Sequence, residues 1–194
     1  LKAAKNLVKK IKNEVFAIKI GYEFFLNFGL KGYKEIKNIC PNIFLDLKLH
    51  DIPNTVNKGI IAIQKLKPIF TTIHISGGDE MQKLSVLNKK NNLKILGVSI
   101  LTSLNSMQTK KYFNENNIKK LVKDFVIFAK KNKLDGIVCS PLEIKIVRKI
   151  VGKHMIIVVP GIRPKNYNQK NDDQKRFITP EEAIKFGADF LVIG

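Results

Sequence analysis

The sequence predicts an α/β fold in which a parallel sheet alternates with helices along the 194-residue chain. Three observations predict it. Short apolar runs recur at a regular distance, amphipathic stretches at helical period fill the intervals, and several of those stretches carry helix start and stop signals. Seven runs read as strands: 15–20, 43–47, 71–75, 95–101, 136–139, 156–159 and 190–193. They are rich in Ile, Val, Leu and Phe and mostly apolar on both faces, as strands of a doubly covered parallel sheet are.

The elements follow in order. Residues 1–12 are basic, with lysines every few positions and no apolar core of a secretory signal, and read as an amphipathic helix. Helical periodicity then marks 25–39, 54–66, 80–88, 118–132, 142–150 and 180–186. Thr179-Pro180-Glu181-Glu182 supplies a cap, a proline at the first helical position and acids in the first turn, and Gly187 follows the last turn. Ser140-Pro141 opens the preceding helix in the same way. Repeated strand-then-helix units imply right-handed crossovers. Seven strands and a leading helix point to a (β/α)8 TIM barrel, incomplete at both ends, lacking its first strand and last helix. Periodicity alone leaves an open doubly wound sheet as the alternative. The start at Leu1 and the stop at Gly194 after an apolar run read as cuts through a longer protein. Residues 1–194 are expected to form a single domain, with 166–176 as its one long polar loop.

Composition narrows the function classes. Hydrophobic residues at 44% and charged residues at 26% fit a globular protein, and no apolar run approaches the ~18 residues of a membrane span. Two distant cysteines, Cys40 and Cys139, offer neither a disulfide framework nor a zinc spacing, so a cytoplasmic location is expected. The net charge of +19 invites a nucleic-acid reading. Its make-up argues against one: 32 lysines and 3 arginines are scattered without aromatic interleaving, and 18 asparagines accompany them, as A/T-rich coding produces.

In a barrel of this kind polar residues at the C-terminal ends of strands are the candidates for chemistry. They are Lys19, Asp46 with Lys48 and Asp51, His74, Thr102 with Ser103, Ser140, and Gly161 with Arg163. Strand alternation points Asp46 and Lys48 to one side, and Lys19 at the end of the previous run can reach the same space. Two lysines around an aspartate hold one another ionised. A structural ion-pair network would have the same composition. His74 reads as a strand-end structural residue, His154 as surface and Cys139 as a core thiol.

The run Phe44-Leu45-Asp46-Leu47-Lys48-Leu49-His50-Asp51-Ile52-Pro53-Asn54-Thr55-Val56 resembles the Asp-x-Lys-x-x-Asp signature of orotidine 5′-monophosphate decarboxylases. The likeness continues along the chain in order. Lys19-Ile20-Gly21, His74 with Gly77-Gly78, Leu101-Thr102-Ser103 and Leu134–Ser140 resemble successive strand-end motifs of the bacterial branch. Pro160-Gly161-Ile162-Arg163-Pro164 with Asp173-Gln174 and Arg176 resembles its phosphate loop, and 187–194 its final strand.

This resemblance implies a cofactor-independent, metal-free decarboxylase making UMP from orotidine 5′-monophosphate. Lys48 would lie at the breaking bond and then protonate C6. Asp46 and Lys19 would complete the charged array, with Lys19 also near the ribose. Asp51, with Ile52 and Thr55, would serve the neighbouring subunit of a homodimer with shared sites, and His50 within the motif would pack near the subunit interface. Thr102 would read the pyrimidine ring; Arg163, Gln174 and the backbone at Gly194 would hold the 5′-phosphate. Two family elements are expected to be missing, an Ala-Leu-Asp aspartate on the first strand and the arginine of a final Gly-Arg.

Two rivals share part of this pattern. Hexulose-phosphate synthase-type enzymes carry Asp-x-Lys-x-x-Asp but use Mg²⁺ and a further acid, for which Glu23 is the nearby carboxylate. A non-catalytic basic nucleic-acid binder would need a clustered basic face.

Overall fold

Helix and strand alternate along the chain: α1 (Lys2–Ile11), β1 (Ile18–Ile20), α2 (Tyr22–Lys37), β2 (Ile43–Leu49), α3 (Pro53–Gln64), β3 (Phe70–His74), α4 (Gly78–Leu87), β4 (Lys94–Val98), α5 (Ser106–Phe113), α6 (Ile118–Lys131), β5 (Gly136–Val138), α7 (Ile144–Val151), β6 (Ile156–Val159), α8 (Pro180–Phe186) and β7 (Phe190–Leu191). The computed structural model describes residues 1–90, 92–163 and 178–194.

Every pair of sheet neighbours is parallel, and the spatial order β1-β2-β3-β4-β5-β6-β7 is the chain order. A doubly wound sheet reverses its order at a switch point; this one never does. The sheet also curls. β3 and β7 stand four places apart, about 19 Å in a flat sheet with strands ~4.8 Å apart. Yet the rings of Phe70 on β3 and Phe190 on β7 lie 5.2 Å apart between centroids. Phe16 stacks on Phe190 at 5.0 Å, and Phe44 meets Phe70 edge-on at 5.8 Å. With Leu96 and Val158 the rings of Phe44, Phe70 and Phe190 fill the concave side, as side chains fill a barrel. The architecture is the incomplete (β/α)8 barrel that the sequence predicts.

The larger core lies between the sheet and the surrounding helices, around Ile43, Leu45, Ile73, Ile95, Ile137 and Ile157. Adjacent helices close it, α3 on α4 and α6 on α7. At the opposite end of the strands from their C-termini, two carboxylates pin the sheet. Asp135 accepts the Ile95 N–H at 2.8 Å and pairs with Lys89 at 2.6 Å; Asp189 accepts the Ile157 N–H at 2.7 Å and pairs with Arg148.

Several boundaries differ from the sequence reading. β1, β4 and β7 span Ile18–Ile20, Lys94–Val98 and Phe190–Leu191 against the runs 15–20, 95–101 and 190–193, and the remaining residues of those runs lie in the adjoining loops. β2 instead runs on through Lys48 to Leu49. α2 begins at Tyr22 rather than 25, and it is broken at Gly29, whose backbone (φ 53°, ψ −148°) is open to glycine alone among common residues. The helix read over 142–150 is a 3₁₀ turn, Pro141–Glu143, leading into α7. α5 has no counterpart among the helices that periodicity predicts.

Candidate active site

β1 and β2 deliver three charged groups to the C-terminal mouth of the sheet. The Asp46 carboxylate is buried, and its Oδ2 lies 2.8 Å from Lys48 Nζ and 3.3 Å from Lys19 Nζ. Its Oδ1 accepts a hydrogen bond from the Thr72 hydroxyl on β3 at 2.8 Å. Burial by itself would push the Asp46 carboxyl up. The Lys48 hydrogen bond, the charges of Lys48 and Lys19 and the Thr72 hydroxyl outweigh it, so the group titrates below its ordinary value. Asp46 and Lys48 meet on one side of β2, and Lys19 enters the same space.

The route to that pairing is less regular than alternation supposes. Between Leu45 and Leu49, β2 advances four residues while β3 advances two, from Thr71 to Ile73. Lys48 takes up the irregularity with φ 41°, a conformation uncommon for a non-glycine residue. Its backbone N–H is met by Thr72 Oγ1 at 2.8 Å. A bulge of this kind re-aims a side chain locally. Nearby, the Tyr22 hydroxyl donates to Leu47 O at 2.6 Å, tying the start of α2 to β2.

Beside the charged groups opens a cavity of about 340 Å³. Lys19, Asp46, Lys48, Thr102, Arg163 and Gly194 all line it. Its apolar wall comes from Phe44, Val98, Ile100, Val138, Pro160 and Val192. Three cations against one carboxylate give the lining a positive balance suited to an anion. Arg163 stands at a parallel bridge between Ile162 and Ile178, and its Nη1 donates to Ile162 O at 3.0 Å. Cys139 also lines the cavity, but burial first, and Glu143 next, push its thiol well above the usual range, so it is a core thiol as expected.

The remaining candidates fall elsewhere. Asp51 and Thr55 are exposed past the end of β2 and are not among the lining residues; Asp51 Oδ1 accepts the Ile52 N–H at 2.7 Å. Gln174 lies outside the described residues, as do Pro164, Asp173 and Arg176. His74 is half-buried, its ring centroid 5.1 Å from that of exposed His50. Burial, then the charges of His50 and Lys48, hold His74 below its ordinary pKa against the pull of Asp46. His154 is exposed. Glu23 is exposed and does not line the cavity. Among the described residues no group of three His, Cys, Asp or Glu side chains is arranged to hold a metal, and no helix is long and apolar enough to cross a membrane.

Sequence reasoning missed Thr72. The signal was present: alternation along β3 puts Thr72 on the same face as Phe70 and His74, a polar residue opposite Asp46.

The family model described as orotidine 5′-phosphate decarboxylase / HUMPS family matches residues 1–194. The chain belongs to that family. Orotidine 5′-phosphate decarboxylase of Staphylococcus saprophyticus is 42% identical over 186 residues, which are 94% of this chain and 80% of that protein. The Aquifex aeolicus enzyme of the same name is 42% identical over 199 residues, covering 100% and 84%. A crystal structure of orotidine 5′-phosphate decarboxylase from Lactobacillus acidophilus matches with a TM-score of 0.80 at 33% identity, covering 100% of this chain and 84% of that one. In this orotidine 5′-phosphate decarboxylase / HUMPS family chain, the Asp46-x-Lys48 signature and the ion-paired centre beside the cavity are the same residues.

Proposed function

We propose that this protein decarboxylates orotidine 5′-monophosphate to UMP, the last step of UMP synthesis, without a cofactor. One observation carries the reading: the Lys48–Asp46–Lys19 array, with contacts of 2.8 and 3.3 Å, borders a cavity that Arg163 also lines. Breaking the bond between C6 and the carboxylate releases CO₂ and leaves the electron pair on C6, in the ring plane, where the ring π-system cannot take it up. A fixed ammonium facing that carbon stabilises the developing charge as it forms. Lys48 fills this role and then gives its proton to C6, and solvent restores the lysine. Asp46 keeps Lys48 charged and oriented, and Lys19 balances Asp46 and meets the ribose.

The apolar wall suits a pyrimidine, with Thr102 reading its polar edge, and the cavity volume lies within the ~300–1,000 Å³ usual for small-molecule sites. Arg163, Gln174 and the backbone at Gly194 grip the 5′-phosphate. Binding energy from that remote group is then available at the reacting carbon. Asp51, Ile52 and Thr55 act in the neighbouring subunit of a homodimer, a reading supported by their exposure away from this chain's own cavity lining. The Mg²⁺-dependent rival finds little support at Glu23. Residues 1–194 act as one barrel domain, and two free buried cysteines fit a reducing cytoplasm.

The test is spectroscopic. Orotidine 5′-monophosphate is added to the purified protein with EDTA present, and its ultraviolet absorbance is followed. Conversion to UMP by the wild type and its loss in Lys48→Ala are expected. No conversion, or equal conversion by the variant, would sink the reading.

A further inference from the structure

We propose that the Thr72 hydroxyl is a positioning group for the reaction, clamping the Lys48 backbone to the Asp46 carboxylate so that the Lys48 ammonium is held at the reacting carbon. The inference rests on the decarboxylase reading above.

Thr72 is fully buried on β3. Its Oγ1 accepts the Lys48 N–H at 2.8 Å and donates to Asp46 Oδ1 at 2.8 Å. A hydroxyl has one proton to give and lone pairs to receive, so one oxygen can make both bonds together. The clamp matters because of where it sits. In a regular parallel ladder the N–H of a β2 residue meets a carbonyl of a neighbouring strand, but the register against β3 is shifted between Leu45 and Leu49. At Lys48 a threonine side chain receives that N–H instead. The φ of 41° at Lys48 is one that side-chain-bearing residues keep only where their surroundings over-determine it. The hydroxyl is one such determinant. Without it the Lys48 N–H loses its acceptor, and the strand can relax toward ordinary geometry. A shift of one residue in facing turns a strand side chain to the other side, away from the cavity.

The same hydroxyl acts on charge. Asp46 is faced by Lys48 on its own strand, by Lys19 from β1, and by Thr72 and His74 from β3, with His50 behind His74. Of these, Thr72 donates a hydrogen bond to Oδ1 and favours the ionised carboxylate without adding charge of its own.

Three variants test the clamp by steady-state kinetics on orotidine 5′-monophosphate across pH. Thr72→Val keeps the shape and removes the hydroxyl; Thr72→Ser keeps the hydroxyl; Thr72→Ala removes both. For Thr72→Val, kcat is expected to fall about tenfold or more while KM stays within about threefold, as loss of an interaction that serves the transition state requires. The acidic limb of its kcat profile should move to higher pH, which loss of packing alone would not cause. Thr72→Ser should stay within about threefold of wild type in kcat. A valine variant with wild-type kcat and pH profile overturns the clamp while leaving the decarboxylase reading intact. A wild type without turnover overturns both. Should the valine variant not fold, the serine and alanine variants decide: alanine about tenfold below serine supports the clamp, and equal rates overturn it.

Discussion

At Asp46 two effects of opposite sign meet. Burial disfavours the carboxylate charge, while Lys48, Lys19 and Thr72 favour it and prevail. The balance has a pH signature. Because the folded-state pKa lies below the ordinary 3.8, the ionised array contributes stability above that value, and this contribution is lost as pH falls through the depressed folded pKa. Asp46→Asn leaves two ammonium groups without their shared counterion. It should unfold at lower urea than wild type at pH 7, and the gap should narrow as pH drops below 3.8. A gap that stays constant over that range would contradict the ion-pair account. Turnover by Asp46→Asn should fall by roughly 10²–10³-fold, the scale seen when preorganised electrostatic stabilisation is removed. At this scale the sequence was informative where charge and strand parity coincide, as at Asp46, Lys48 and Lys19. It was silent about φ at Lys48, because a bulge depends on how β2 lies against β3 and not on its own residues.

Among the elements, α5 separates what patterning reports from what capping reports. Its residues, Ser106–Phe113, bury only Thr109, so no apolar stripe marks it as a helix. The capping signal is present nonetheless. Asn105 accepts the Gln108 N–H at 3.0 Å, and the Gln108 side chain accepts the Asn105 N–H at 3.0 Å. Asn105→Ala should therefore cost about 1 kcal/mol in urea-unfolding free energy. No measurable loss would mean that the box does not hold the helix. The strands tell the reverse story. Their apolar runs marked where chain enters the sheet, but β4 and β7 end at Val98 and Leu191, short of those runs, and pairing with a neighbouring strand is not something a single run discloses. The break at Gly29 was likewise hidden, since one glycine inside a helical pattern is compatible with an unbroken helix.

The whole molecule decides between the two architectures that periodicity left open. Chain-order neighbours and rings meeting across the concave side exclude the doubly wound sheet. The proposed homodimer is also a matter of this scale, since Asp51 and Thr55 face outward past β2 while the cavity lining is built without them. Lys48→Ala and Asp51→Ala chains, each inactive alone, should regain part of the wild-type rate when mixed and allowed to exchange subunits. Absence of any recovery in a verified mixed dimer would count against shared sites. This arrangement could be read from the sequence only through family likeness, because no periodicity in one chain describes what a second chain covers.

The charged centre and its clamp come from three consecutive strands, β1 to β3, whereas Thr102, Arg163 and Gly194 all follow β4. In the proposed reading, the reactive pair and the contacts to the pyrimidine edge and 5′-phosphate are thus carried by separate stretches of one polypeptide. Recombination at the α4 boundary could exchange the grip and pass the reactive pair on unaltered. A lineage built this way can change the molecules it accepts without having to reinvent how it handles charge.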